Sequence, residues 1–154
     1  MPTFPNARYL FGKAEYDHWV QETNGEMPQI LADSVQPIFD ADLVELVEMD
    51  QRISDEVSLM PTPGHTPGHV SVRIESKGQV AIISGDIIHH PCQIARPDWA
   101  PDFDSDKVAA RETRKSFLED VADESILIIG THFAAPTAGY VKRDLDTFRL
   151  QTNG

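Results

Sequence analysis

The 154-residue chain holds a single cysteine, Cys92, and that scarcity removes two architectures. No internal disulfide can form, and no zinc site can be assembled from four thiolates. A reducing, cytoplasmic compartment is the expectation this supports, and Cys92 itself reads as a small buried hydrophobe. Basic residues are scarce as well: 13 Lys and Arg stand against 25 Asp and Glu, a formal net charge of −12. Such a surface repels phosphate backbones and anionic headgroups, so neither nucleic acid nor a membrane is expected as a partner. No apolar stretch at the N-terminus resembles a signal peptide, and no apolar run approaches the length of a membrane span. Internal repeats and low-complexity tracts are also missing.

What is present has a globular balance, 40% hydrophobic and 25% charged, at a length suited to a single domain over residues 1–154. The polar stretch Asp50 to Glu56 is the one candidate linker. Strands are expected at Ala7 to Phe11, Leu43 to Met49 and Val57 to Met60, and helices at Lys13 to Glu22 and from Met27-Pro28 to about Gln36. Val70 to Glu75 alternates polar and apolar residues. With the apolar run Val80 to Ile83 and the turn Lys77-Gly78 it predicts a hairpin. Asp104-Ser105-Asp106 offers a cap to a helix from about Asp106 to Ala122, with Ala109, Phe117, Leu118 and Val121 on its apolar face. Ile126 to Ile129 reads as a buried strand, and Tyr140-Val141 and Phe148 to Leu150 as short strands or turns. The class is mixed α and β.

Against this background the run Pro61 to His69, "PTPGHTPGH", stands out for three prolines, two glycines and two histidines in nine positions. Proline lowers the freedom of the unfolded loop, so a ligand held there costs less to order around an ion. His69 lies where this loop enters a strand. Asp86 follows the apolar strand Val80 to Ile83 through Ser84-Gly85, and His132 follows Ile126 to Ile129 through Gly130-Thr131. Two imidazoles and a carboxylate suit zinc, iron or manganese rather than calcium or magnesium. His65 reads as a hydrogen-bonding partner within the loop rather than a ligand, and with His89 and His90 it is a candidate for orienting the ligands; for His89 and His90 a plain surface role is the equal alternative. His18 reads as a solvated or packing residue, and Trp99 as a residue buried under its proline-rich loop.

Taken together, "PTPGHTPGH", the "SGD" whose Asp86 lies 17 residues past His69, and "GTHFAAPTAG" with His132 46 residues past Asp86 resemble the metallo-β-lactamase-fold hydrolases. The likeness is to the branch holding lactonases, esterases and organophosphate hydrolases, and "FPNARYLFGKAEYDHW" is similar to that branch as well. The resemblance implies an αββα sandwich, His69 and His132 as metal ligands and Asp86 as a catalytic, metal-bridging carboxylate. Zinc is the implied cofactor, with iron or manganese as alternatives, and a small ester, lactone or related molecule the implied substrate. The family's His-x-His-x-Asp-His motif is missing from this sequence, so the chain reads as an N-terminally truncated, C-terminal portion of the fold. A homo-oligomer or a complementing N-terminal segment is then the expected partner. The competing expectation is an inactive scaffold that dimerises and binds one metal weakly or not at all.

Overall fold

A computed structural model describes residues 2–152 of the chain. They fall into two compact units, the first ending at Met49 and the second beginning at Asp50, where the candidate linker starts.

In the first unit, β1 (Tyr9–Gly12) pairs in parallel with β2 (Val44–Val47), Tyr9 opposite Val44. Helix α1 (Lys13–Trp19) follows β1 directly and stops short of the expected Glu22. Beyond Trp19 the backbone tightens, with Gln21 and Glu22 donating to His18 and Trp19, so the last turn is of the 3₁₀ kind that commonly closes a helix. Residues 27–40 are helical throughout: α2 (Met27–Ile30), a π-turn over Leu31–Val35, and α3 (Gln36–Asp40). The helical stretch therefore runs past the expected end at Gln36. Pro37 has no N–H to donate into the preceding turn, and the widened π-turn is where the helix absorbs that loss. Phe39 stacks on Tyr16 at 4.8 Å and on Phe11 at 6.2 Å, which ties α3 to α1 and β1.

The second unit is built on a six-stranded sheet in the order β3 (Val57–Pro61), β4 (Val70–Ser76), β5 (Gln79–Ile83), β6 (Ile126–Ile129), β7 (Ala138–Asp144), β8 (Thr147–Gln151). The expected hairpin is β4–β5, turned by Lys77 and Gly78, both at positive φ, as a two-residue hairpin turn requires. β7 and β8 form a second hairpin, longer than the short segments the sequence suggested, around an exposed Leu145. All neighbours are antiparallel except β5 and β6, and a parallel pair needs a crossover. That crossover runs from Ser84 to Ser125 and carries α4 (Cys92–Ala95) and α5 (Lys107–Val121).

Helix α5 starts as its sequence predicts: the Asp106 carboxylate accepts from the Val108 and Ala109 N–H groups, both at 3.0 Å. Its buried face is Ala110, Arg114, Phe117, Leu118 and Val121, so the N-terminal half turns inward at Ala110 rather than Ala109 because Arg114 is buried with the apolar residues. Phe117, Leu118 and Val121 pack with Ile82, Ile128 and Val141 from the sheet and Ile88 and Ile94 from the crossover. Burying each such side chain contributes about 1.5–3 kcal/mol. Two expectations fail here. Cys92 is exposed, because α4 turns Gln93 and Ile94 inward instead. Trp99 is 55% exposed, since the crossover anchors its backbone carbonyl rather than its ring.

Candidate metal centre

The parallel pair β5–β6 fixes the first two site residues. Ile83 is registered opposite Ile129, and the Ser84 N–H continues the ladder to the Ile129 carbonyl. Asp86 and His132 each lie three residues past that pair. They leave the same end of the sheet side by side. β4 is antiparallel to β5, so its first residues are at this end as well, and the loop before it delivers His65 and His69.

Asp86 lies between two imidazoles: His132 Nε2 is 2.9 Å from one carboxylate oxygen and His65 Nε2 is 3.3 Å from the other. A carboxylate oxygen only accepts, so each facing nitrogen must carry a proton or share a cation with it. Donor atoms of His65, Asp86 and His89 all lie within 4.8 Å of one another. His89 stacks on His132 at 5.2 Å and meets His65 edge-on at 5.1 Å, and its buried Nδ1 has no hydrogen-bond partner. Burial holds the His89 pKa below its ordinary value; the Asp86 carboxylate opposes that shift, and the His65 and His132 imidazoles add to it. Mixed nitrogen and oxygen donors of this kind fit zinc, iron or manganese.

The two loop histidines do not take the places the sequence assigned them. His69 Nε2 accepts the Asp86 backbone N–H at 2.8 Å, and its Nδ1 lies 3.0 Å from the Thr62 carbonyl and 2.8 Å from Thr62 Oγ1. Both ring nitrogens are thus committed to the protein, and the ring holds the backbone of Asp86. Gly85 is what admits it: with φ at +58°, a Cβ there would lie 2.6 Å from His69 Nε2. His65 instead points its Nε2 at Asp86. His90 stands apart from the cluster, exposed, with its Nδ1 accepting the Cys92 N–H at 3.1 Å.

Several residues here were not singled out for the site by the sequence. Asp104 Oδ1 receives a hydrogen bond from His65 Nδ1 at 3.0 Å. Arg114 donates to the carbonyls of Ile87, Pro97 and Trp99, and burial pulls its pKa below the ordinary value against the facing Asp104 carboxylate. Gln93 accepts the His89 N–H at 2.7 Å and donates to the Trp99 carbonyl. Phe103 is 65% exposed with its ring edge-on to both His65 and His89. An arginine in register with Phe117, Leu118 and Val121 on one helical stripe was the available signal for Arg114. Asp104 had none, lying in an acidic run that serves equally well as a helix cap.

A histidine–carboxylate cluster at the exit of two parallel strands, in a mixed α/β chain, is a metal-site architecture. The chain belongs to the metallo-beta-lactamase superfamily, whose model matches residues 3–132. Among solved structures it is similar to AidC, a dizinc quorum-quenching lactonase, at 25% identity and a TM-score of 0.82, covering 100% of this chain and 57% of that one. It is similar too to the hydrolase AbOPH of the β-lactamase superfamily, at 23% identity and a TM-score of 0.83, covering 98% of this chain and 56% of that one. An N-acyl homoserine lactone hydrolase is matched at 21% identity and a TM-score of 0.66 over 86% of this chain and 50% of that one. The chain therefore spans about half the length of these structures. No curated protein matches it.

Proposed function

We propose that this chain carries the metal-binding part of a hydrolase acting on a small ester, lactone or related molecule. His65, Asp86 and His132 are the ligands it contributes. The observation that carries this reading is the Asp86 carboxylate set between His65 and His132, one imidazole to each oxygen. A carboxylate so placed would hold a metal jointly with the imidazole at each of its oxygens. His65 replaces His69 in the ligand set because the nitrogens of His69 are already engaged by Thr62 and the Asp86 backbone.

When bound, a zinc-type ion supplies an acidified water and draws charge from the substrate's carbonyl oxygen. The chain's own residues do the rest. Asp86, kept in place through its backbone by His69, would take the proton released by the attacking water and return it to the leaving oxygen as the acyl C–O bond breaks, so that acid and alcohol are the products. Phe103 and Trp99 offer exposed aromatic surface in the crossover that supplies Asp86. The similarity to AidC supports a lactone as the first substrate to try. Two histidines and one carboxylate are fewer ligands than two ions require, so a full two-metal site draws further ligands from another segment or another chain. The alternative of an inert scaffold is less well supported, because a chain with no ion to bind has no use for this convergence of imidazoles on Asp86.

The test is zinc content per chain, measured beside hydrolysis of N-acyl homoserine lactones and simple aryl esters. His65→Ala and Asp86→Ala are expected to lose metal and activity together. Zinc retained in both variants, or activity indifferent to them, would sink the proposal.

A further inference from the structure

We infer that Asp104 and Arg114 form a buried positioning chain behind His65, fixing that imidazole with its Nδ1 proton toward Asp104 and its Nε2 turned toward Asp86, where the two can share a cation. This deepens the functional reading above, and its metal arm rests on it.

The Asp104 side chain is 0% exposed, and its Oδ1 stands 3.0 Å from His65 Nδ1. A buried carboxylate that receives no proton from its neighbour is costly, so the proton belongs on Nδ1, where it serves both groups. The other oxygen, Oδ2, has no hydrogen-bond partner and faces Arg114 Nη2 at 3.7 Å, a nitrogen that likewise has none. Both side chains are 0% exposed. At that distance the pair acts through charge rather than through a hydrogen bond. Arg114 is itself immobile, donating to the carbonyls of Ile87 at 2.6 Å, Pro97 at 3.0 Å and Trp99 at 2.9 Å. Ile87 follows Asp86 directly, so one guanidinium sets both the carboxylate behind His65 and the segment carrying the carboxylate in front of it. The backbone of His65 is held by the same region, its carbonyl accepting the Ser105 N–H at 2.9 Å.

A merely structural ion pair would cost stability when broken and leave the imidazole's tautomer and its metal affinity alone. A positioning chain makes both depend on Asp104. Outer carboxylates of this kind typically change metal affinity about 10- to 100-fold.

The experiment uses the ¹⁵N-labelled full chain, with ¹H–¹⁵N correlations through the imidazole rings recorded zinc-loaded and metal-free in mildly alkaline buffer. His65 is expected to show a protonated Nδ1 in both states, with Nε2 losing its proton when zinc is bound between it and Asp86. Zinc titration of Asp104→Asn is expected to give a Kd about 10- to 100-fold weaker than wild type. An unprotonated Nδ1 on His65 overturns the inference, and so does unchanged zinc affinity in a folded Asp104→Asn. The tautomer is read on wild-type protein, so a variant that fails to fold does not shelter the idea. Wild type that takes up no zinc yet shows Nδ1–H would defeat the metal reading alone and leave the positioning chain standing.

Discussion

A single methyl group at Gly85 probes how the centre is held together. In Gly85→Ala the backbone must keep φ at +58°, which costs an L-residue about 1–2 kcal/mol. The new Cβ would also stand 2.6 Å from His69 Nε2 and 2.9 Å from Cε1, closer than any real contact. The ring must therefore move, and the bond it receives from the Asp86 N–H goes with it, for about another 1–2 kcal/mol. The expected loss is about 2–4 kcal/mol in all. Gly78 supplies the control: its φ is +75° and nothing lies within 4 Å of a Cβ built on it, so Gly78→Ala keeps the backbone cost alone. Urea unfolding of both variants and wild type reads the difference, and zinc titration reads whether Asp86 has moved. Gly85→Ala should lose more stability than Gly78→Ala and should also bind zinc more weakly. Equal losses in the two variants, with zinc affinity unchanged in both, would refute the claim that His69 buttresses Asp86.

Three shorter expectations follow from the same geometry. Arg114→Leu leaves the Asp104 carboxylate buried without its cation and three carbonyls without their donor, so urea unfolding should show a loss of about 3–5 kcal/mol. A loss below about 1 kcal/mol would mean that water replaces the guanidinium. Asp106→Ala removes the side chain that caps α5 and should cost about 1 kcal/mol by the same assay, while Asp106→Asn should cost less. Cys92 is exposed and should react with an aromatic disulfide reagent in the folded protein at nearly the rate seen in urea; labelling that waits for unfolding would contradict its placement.

Much of the frame was legible because it depends on local pattern. The alternation of Val70, Val72 and Ile74, the apolar run of β5 and β6 and the capping Asp106 each dictate their element with little help from elsewhere. Asp86 and His132 were legible for the same reason, as polar residues placed just beyond apolar strands. The choice between His65 and His69 was not. Both sit in the same stiff loop four residues apart, and what separates them is a hydrogen bond from the Asp86 backbone, a residue 17 positions on from His69. Arg114 went unnoticed for a related reason. Periodicity places a charged side chain by default in water, and only the carbonyls of Ile87, Pro97 and Trp99, none of them local in sequence, make its burial favourable. The π-turn before Pro37 is the intermediate case: the proline announces a disturbance, and packing of Phe39 on Tyr16 shows that the helix survives it.

The in-register pairing of Ile83 with Ile129 also bears on how such a protein can change. The spacing between Asp86 and His132 starts from the strand-to-strand distance of a β-ladder, about 4.8 Å, and is completed by the turn at Gly85 and the His69 ring that holds the Asp86 backbone. Phe103 and Trp99, by contrast, belong to the long crossover between those strands. Frame and rim are thus separate mechanical parts, and the rim can be rewritten, residue by residue or by grafting a whole segment, while the frame keeps its gauge. The same ladder sets a hard limit: a slip of one residue between β5 and β6 would turn every side chain on the slipped strand to the opposite face, and no adjustment of the rim could restore the pair.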